Sequence, residues 1–207
     1  MLLAPPWNGR SVAPNTIALD TSTPGTYNIT VPPGVFKARV RLVAAGGGGG
    51  GAWNPGDAWS GNGGGSGGYY WDQDIDVYPG QMLEVIVGDG GIGGSGLSSG
   101  TWICQTDQGL QFNGSPGGNS VITGKLTTTG GFPGGNNVAG SIPSGNSGGG
   151  SPNGVAGSAA TINCLSTNAG GTNGTGHGRG GDGGGCVAPA GFCGQNGSNG
   201  YARILWP

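Results

Sequence analysis

Six consecutive glycines at 46–51 follow directly on a strand-like stretch, and glycine makes up 54 of the 207 residues, nearly four times its ordinary ~7%. Each ordered glycine costs about 0.5–1 kcal/mol more than alanine. Ordering all of them therefore demands compensation larger than the ~5–15 kcal/mol by which folded domains are usually stable. Two solutions exist: flexible linker, or bare backbone packed so closely that the loss is offset. Linkers surround their glycines with Ser, Gln, Glu and Lys, whereas Trp, Tyr, Phe, Ile, Val and Asn interrupt these, so order is expected. Collagen is excluded, because no strict Gly-X-Y period runs through the chain and proline contributes only 14 residues.

Charge narrows the classes further. Seven Lys+Arg and a net charge of -2 leave no basic patch for nucleic acid. No apolar run approaches the ~20 residues of a membrane span. The segment from Met1 to Trp7 has neither a charged leader region nor an apolar stretch of signal-peptide length. The chain is thus expected to stay in the cytoplasm or to leave it as part of a particle assembled there, with no nucleic-acid or membrane partner.

The side-chain-bearing stretches read as strands. Residues 26–31 alternate, and a turn follows at Pro32-Pro33-Gly34. In 35–44, Phe36, Ala38, Val40 and Leu42 fall on one face and Lys37, Arg39 and Arg41 on the other. In 69–78 the same logic places Trp71, Ile75 and Val77 inward and Asp72, Asp74 and Asp76 outward. Pro79-Gly80 then turns the chain into 81–87, with Leu83, Val85 and Val87 facing in. Further strands are expected at 120–122, 125–128 and 201–206, and no segment shows a helical period.

Between the strands lie glycine tracts at 46–51, 61–68, 88–100, 114–118, 130–157 and 170–200. Structureless loops of the later lengths are unusual in a compact domain. Glycine-rich chain can instead form polyproline II helices of three residues per turn, which pack closely and bond backbone to backbone. The expected fold is all-β, a small antiparallel β-sandwich or sheet with little or no α-helix, whose long glycine-rich connections bundle as polyglycine II helices. Its divisions are an N-terminal arm at 1–25, a β-rich core at 26–129, a glycine-rich region at 130–200 and a closing strand at 201–207. Free edges and bare backbone call for partners, and a homo-oligomer, as a trimer, is expected.

Candidate chemistry is sparse. Asp72, Asp74 and Asp76 invite a calcium reading, but the glycine and distal glutamate of an EF-hand loop are missing. Lys37, Arg39 and Arg41 form a matching basic row, and cross-strand ion pairs are the better reading. His177 is the single histidine and has no nucleophile motif beside it, so neither catalysis, metal nor cofactor is expected. Cys104, Cys164, Cys186 and Cys193 admit three pairings, of which Cys186 with Cys193 and Cys104 with Cys164 is preferred; four buried thiols are the other reading. Trp53, Trp59 and Trp102 lie in glycine-rich loops, with Asp57 between the first two. They either fill space in the glycine packing or stack on a sugar ring or a protein partner, and Trp53, Asp57, Trp59 and Trp102 are the candidate binding residues.

Four motifs occur in a characteristic order: Val31-Pro32-Pro33-Gly34-Val35 leading into a basic strand and the six-glycine run; Gly63-Gly64-Gly65-Ser66-Gly67-Gly68-Tyr69; Pro79-Gly80-Gln81-Met82-Leu83-Glu84-Val85-Ile86-Val87-Gly88-Asp89-Gly90-Gly91; and Gly197-Ser198-Asn199-Gly200-Tyr201-Ala202-Arg203-Ile204. In this succession, covering about residues 26–206, the sequence resembles the glycine-rich domain of bacteriophage tail fibres and minor tail proteins. The resemblance implies a non-enzymatic virion protein exposed on the particle surface, contacting other virion proteins and presenting loops to a host-surface glycan or protein. A capsid decoration or head-fibre protein of purely structural role is the alternative.

Overall fold

A computed structural model describes residues 13–54, 61–98, 101–104, 113–135, 149–157, 170, 172, 175–183 and 193–207. Among these, two four-stranded antiparallel sheets carry the side-chain core, and no α-helix occurs. The first sheet runs β1 (Thr16–Thr21), β11 (Tyr201–Trp206), β3 (Lys37–Val43) and β5 (Tyr69–Asp76). The second runs β10 (Leu126–Thr128), β9 (Ser120–Ile122), β6 (Met82–Val87) and β2 (Gly25–Thr30). Their inner faces meet through Val40, Leu42, Ile75, Ala202 and Ile204 on one side and Leu83, Val85, Val87 and Ile122 on the other. Two-residue alternation makes this possible, since each strand turns its apolar side chains to one face.

Two residues depart from the expected alternation. Phe36 is 61% exposed, because β3 begins only at Lys37 and the preceding turn, with the Val35 amide on the Pro32 carbonyl at 3.3 Å, still governs the backbone there. Trp71 is 42% exposed where a buried position was expected. A bulge is the cause: Val40 pairs with Gln73 but Leu42 pairs with Tyr70, so Arg41 alone stands opposite Trp71 and Asp72. The extra residue reverses the facing of Trp71 relative to Ile75 and Val77, which remain buried. β1 lies within the stretch read as an N-terminal arm, and it pairs along β11 from Thr16 with Trp206 to Thr21 with Ala202.

Where the side chains stop, the strands become glycine helices. Eight segments, numbered I to VIII, cover 44–52, 61–68, 88–96, 113–118, 129–135, 149–157, 176–183 and 193–200; all are extended except for a turn at 151–153 in VI and a bend at 176–178 in VII. β3 runs into I, II into β5, β6 into III, IV into β9, β10 into V and VIII into β11. The bundle therefore caps one end of the sandwich, while Thr16 and Trp206 pair near the other.

Segment I is the axis. The amides of Ala44, Gly47 and Gly50 donate to Gly68, Gly65 and Asn62 of II; those of Ala45 and Gly48 to Gly118 and Ser115 of IV; those of Gly46 and Gly49 to Ser198 and Gln195 of VIII. All lie at 2.9–3.0 Å. Its carbonyls accept with the same period: Ala45 and Gly48 from Gly131 and Gly134 of V, Gly46 and Gly49 from Gly91 and Gly94 of III, and Gly47 from Gly181 of VII, at 2.7–2.9 Å. Successive residues thus bond 120° apart, as a three-residue helix without internal hydrogen bonds requires. Three antiparallel neighbours receive bonds and three parallel neighbours supply them.

The six neighbours also bond to one another around the axis. The amides of Gly65, Gly117, Ser115, Gly197, Ser198 and Gly67 donate respectively to Phe132, Gly131, Ile92, Gly91, Arg179 and Gly178, which closes the ring II–V–IV–III–VIII–VII–II. Among the described residues, segments I to V, VII and VIII are hexagonally packed polyglycine II helices. A net hydrogen bond contributes about 0.5–1.5 kcal/mol, so one bond donated per axial glycine matches the excess ordering cost of that residue.

Glycine is needed at the axis for space. None of residues 46–51 has positive φ, so their backbone conformation is open to other residues. A Cβ, however, would overlap the carbonyl groups of Arg179 and Asp182 from positions 46 and 49, of Phe132 and Gly135 from 47 and 50, and of Ile92 and Ser95 from 48 and 51. Around the axis only some positions carry this constraint. Segment III holds Asp89, Ile92 and Ser95 at every third residue, and VIII places Gly194, Gly197 and Gly200 against its neighbours.

Candidate functional site

The bundle organises the end of the molecule remote from the sandwich. Gly51 lies against Ser95, Gly61 against Gly50, Gly183 against Gly61 and Gly194 against Gly49, so the ends of segments I, II, III, VII and VIII converge there. The connections at 53–60, 97–112 and 184–192 leave from this end. A small sheet of β4 (Trp53–Asn54), β7 (Gly96–Ser98) and β8 (Thr101–Cys104) stands on it, with β4 parallel and β8 antiparallel to β7. Trp53 is in register with Leu97, and Leu97 with Trp102. Two candidate residues far apart in sequence thus occupy one cross-strand row. Asp57 and Trp59 lie outside the described residues, as do the side chains of Trp53 and Trp102. Cys193 is disulfide-bonded, and the side chains of Cys104, Cys164 and Cys186 lie outside the description, as does the expected pairing.

Polar side chains seal the sides of the bundle. Asn196 and Asn199, three residues apart on VIII, accept the amides of Gly93 and Gly90 on III at 2.8 and 3.1 Å. Ser115 accepts from the Ile92 amide at 2.7 Å, and Asn119 from Gly130 at 3.0 Å. These caps stand in for further helices, since an amide buried without a partner costs about 1–3 kcal/mol.

A second cluster joins bundle and sandwich. The His177 ring of VII lies parallel to the Tyr201 ring of β11 at 4.1 Å, and the Tyr201 hydroxyl donates to Asp20 Oδ1 of β1 at 2.7 Å. Arg203 Nε stands 3.6 Å from Asp20 Oδ2. Burial, reinforced by the bond to Asp20, pushes the Tyr201 phenol up to about 12. Burial also lowers the His177 pKa, against the opposing pull of Asp20, which favours the neutral imidazole. Sequence reasoning gave His177 no partner, did not name Asp20 and met Tyr201 only as part of the closing motif. Nothing in the local pattern could have paired them, because three distant segments meet only through tertiary packing.

The acidic row is neutralised as the strand pattern suggested. Lys37 meets Asp76 at 3.3 Å, Arg39 meets Asp74 at 3.1 Å, and Arg41 Nε meets Asp72 Oδ1 at 2.8 Å. The bond to Asp72 raises the Arg41 pKa, and Arg41 in turn lowers that of Asp72. Among the described residues no group of three His, Cys, Asp or Glu side chains is placed to hold a metal ion, and no helix is long and apolar enough to cross a membrane.

Fold and site together define an all-β scaffold in which a side-chain-packed sandwich carries a backbone-packed glycine bundle. A family model described as a glycine-rich domain matches residues 21–206, from the end of β1 to the end of β11. The chain belongs to this glycine-rich domain family. No curated protein matches it.

Proposed function

We propose that this chain is a non-enzymatic structural protein of a bacteriophage virion, at the tail tip, in a tail fibre or as a minor tail protein, and that it presents loops for attachment to the host surface. The observation that carries this reading is the polarity of the molecule. The sandwich forms one end, and the hexagonal bundle projects from it and gathers the connections at 53–60, 97–112 and 184–192 at the other. The described helices of the stalk bond backbone to backbone, so its geometry does not depend on recognition chemistry placed at its tip. The resemblance of the four-motif succession to the glycine-rich domain of phage tail proteins supports the same reading. Trp53 and Trp102, aligned on the terminal sheet with Asp57 and Trp59 in the adjoining connection, are the residues proposed to meet a host glycan or protein receptor. The partners proposed at the sandwich end are other virion proteins and further copies of the chain, as a trimer.

Gold-labelled antibody against the protein should decorate the tail of intact particles. Purified protein should compete with those particles for adsorption to host cells. Label confined to the head would replace this reading with capsid decoration, and absence of the protein from particles would refute both. Reducing-sugar release from host envelope by the purified protein would refute the non-enzymatic part.

A further inference from the structure

We infer that Trp71 forms, with the charged side chains beside it, a sugar-binding platform on the outer face of the first sheet. This surface belongs to the sandwich and is separate from the loops at the bundle tip. The two-residue period of β5 would bury Trp71 beside Ile75 and Val77, and the bulge at Trp71 and Asp72 turns it outward instead. Asp72 adopts φ 54° to make this bulge, in the left-handed region that side chains other than glycine rarely enter. Local strain is thus combined with loss of a large aromatic side chain from the core, a pairing that bulges show where they re-aim a side chain for use.

The ring so exposed is held in place. The Arg41 guanidinium sits 4.5 Å from its centroid and is itself clamped by Asp72, through Nε to Oδ1 at 2.8 Å and Nη2 to Oδ2 at 3.1 Å. Cation and ring form a preformed stack, so binding need not order either one. Edge protection alone does not account for the arrangement. Charged residues already guard this outer strand, and an exposed indole is the opposite of what an unpaired edge calls for.

The chemistry around the ring selects the ligand. A flat aromatic surface suits the apolar C–H face of a pyranose, and Asp74 and Arg39, each about half exposed and 3.1 Å apart, offer acceptor and donors for its hydroxyls. Acidic and basic groups alternate across the patch, which favours a neutral sugar over a strongly charged one. Asp20 and Arg203 extend the same alternation across β11 and β1.

The test is a titration of the full chain with neutral oligosaccharides of glucose, galactose and N-acetylglucosamine, followed by calorimetry. Wild type should bind at least one series. Trp71→Ala should weaken that binding tenfold or more, Trp71→Phe should retain part of it, and Phe132→Ala, at an exposed aromatic of the bundle outside both surfaces, should leave it unchanged. Both Trp71 variants should melt close to wild type, because Trp71 lies outside the core. The proposal is overturned if wild type binds none of these sugars, if Trp71→Ala binds equally well, or if Phe132→Ala weakens binding as much as Trp71→Ala does. Host adsorption measured on the same variants reads the tip separately, so either proposal can fail without the other.

Discussion

Gly48 accepts the Gly134 amide on its carbonyl oxygen at 2.7 Å, and it does so one residue away from neighbours that bond to other helices. Its Cα hydrogens face the Ile92 carbonyl so closely that no Cβ fits between. The bundle is therefore a core made of main chain, in which the absence of side chains is the packing requirement.

Axial and turn glycines should respond differently to alanine. Gly48→Ala forces apart two hydrogen-bonded backbones and is expected to cost about 3 kcal/mol or more, as overpacking of a rigid interior does. Gly124→Ala has open space around it but φ 71°, and is expected to cost about 1–2 kcal/mol. Urea denaturation of both variants would compare the two, and equal midpoints would contradict the spatial account of the axis.

The asparagine caps predict local opening. Asn196→Ala and Asn199→Ala leave the Gly93 and Gly90 amides without their acceptors, each at about 1–3 kcal/mol. Hydrogen exchange should accelerate at Gly93 and Gly90 respectively, while the amides of 44–50 stay protected by their bonds to II, IV and VIII.

Acid should loosen the joint between bundle and sandwich. The His177 pKa is lowered in the folded chain, so the unfolded chain binds the proton more readily. Stability from this residue is complete above the ordinary histidine value near ~6.5 and falls as pH drops through that value toward the folded one. The melting temperature should decline as pH falls below about 6.5, and His177→Phe, which keeps a ring on Tyr201, should flatten that decline.

Removing the Tyr201 hydroxyl should weaken the same joint at neutral pH. Tyr201→Phe deletes the bond to the Asp20 carboxylate and is expected to cost about 1.5 kcal/mol, the lower end for a bond to a charged group. Spectrophotometric titration should lose a phenol with a midpoint of about 12 in that variant.

Much of this architecture was legible in the chain. Leu83, Val85 and Val87 are buried as their alternation required, and Lys37, Arg39 and Arg41 meet Asp76, Asp74 and Asp72 because strand period fixes which side chains share a face. Trp71 escaped that logic. A single inserted residue inverts the facing of what precedes it, and nothing local in Tyr69-Tyr70-Trp71-Asp72 marks the insertion. β4, β7 and β8 were missed as well, being strands of two to four residues held by register with one another.

The sequence by itself determined that strands would alternate with glycine, and that a chain so interrupted by aromatics would order its glycines. Both follow from properties carried residue by residue: side-chain polarity, strand period and the absence of a Cβ. Only the tertiary structure decided that segment I would be the axis and which six segments would surround it, and only it brought His177 to Tyr201 and Trp53 into line with Trp102. A polyglycine helix has no side chains with which to name its neighbours. Its partners are selected by the sandwich strands that lead into it, and those strands find their own places only when the whole core assembles.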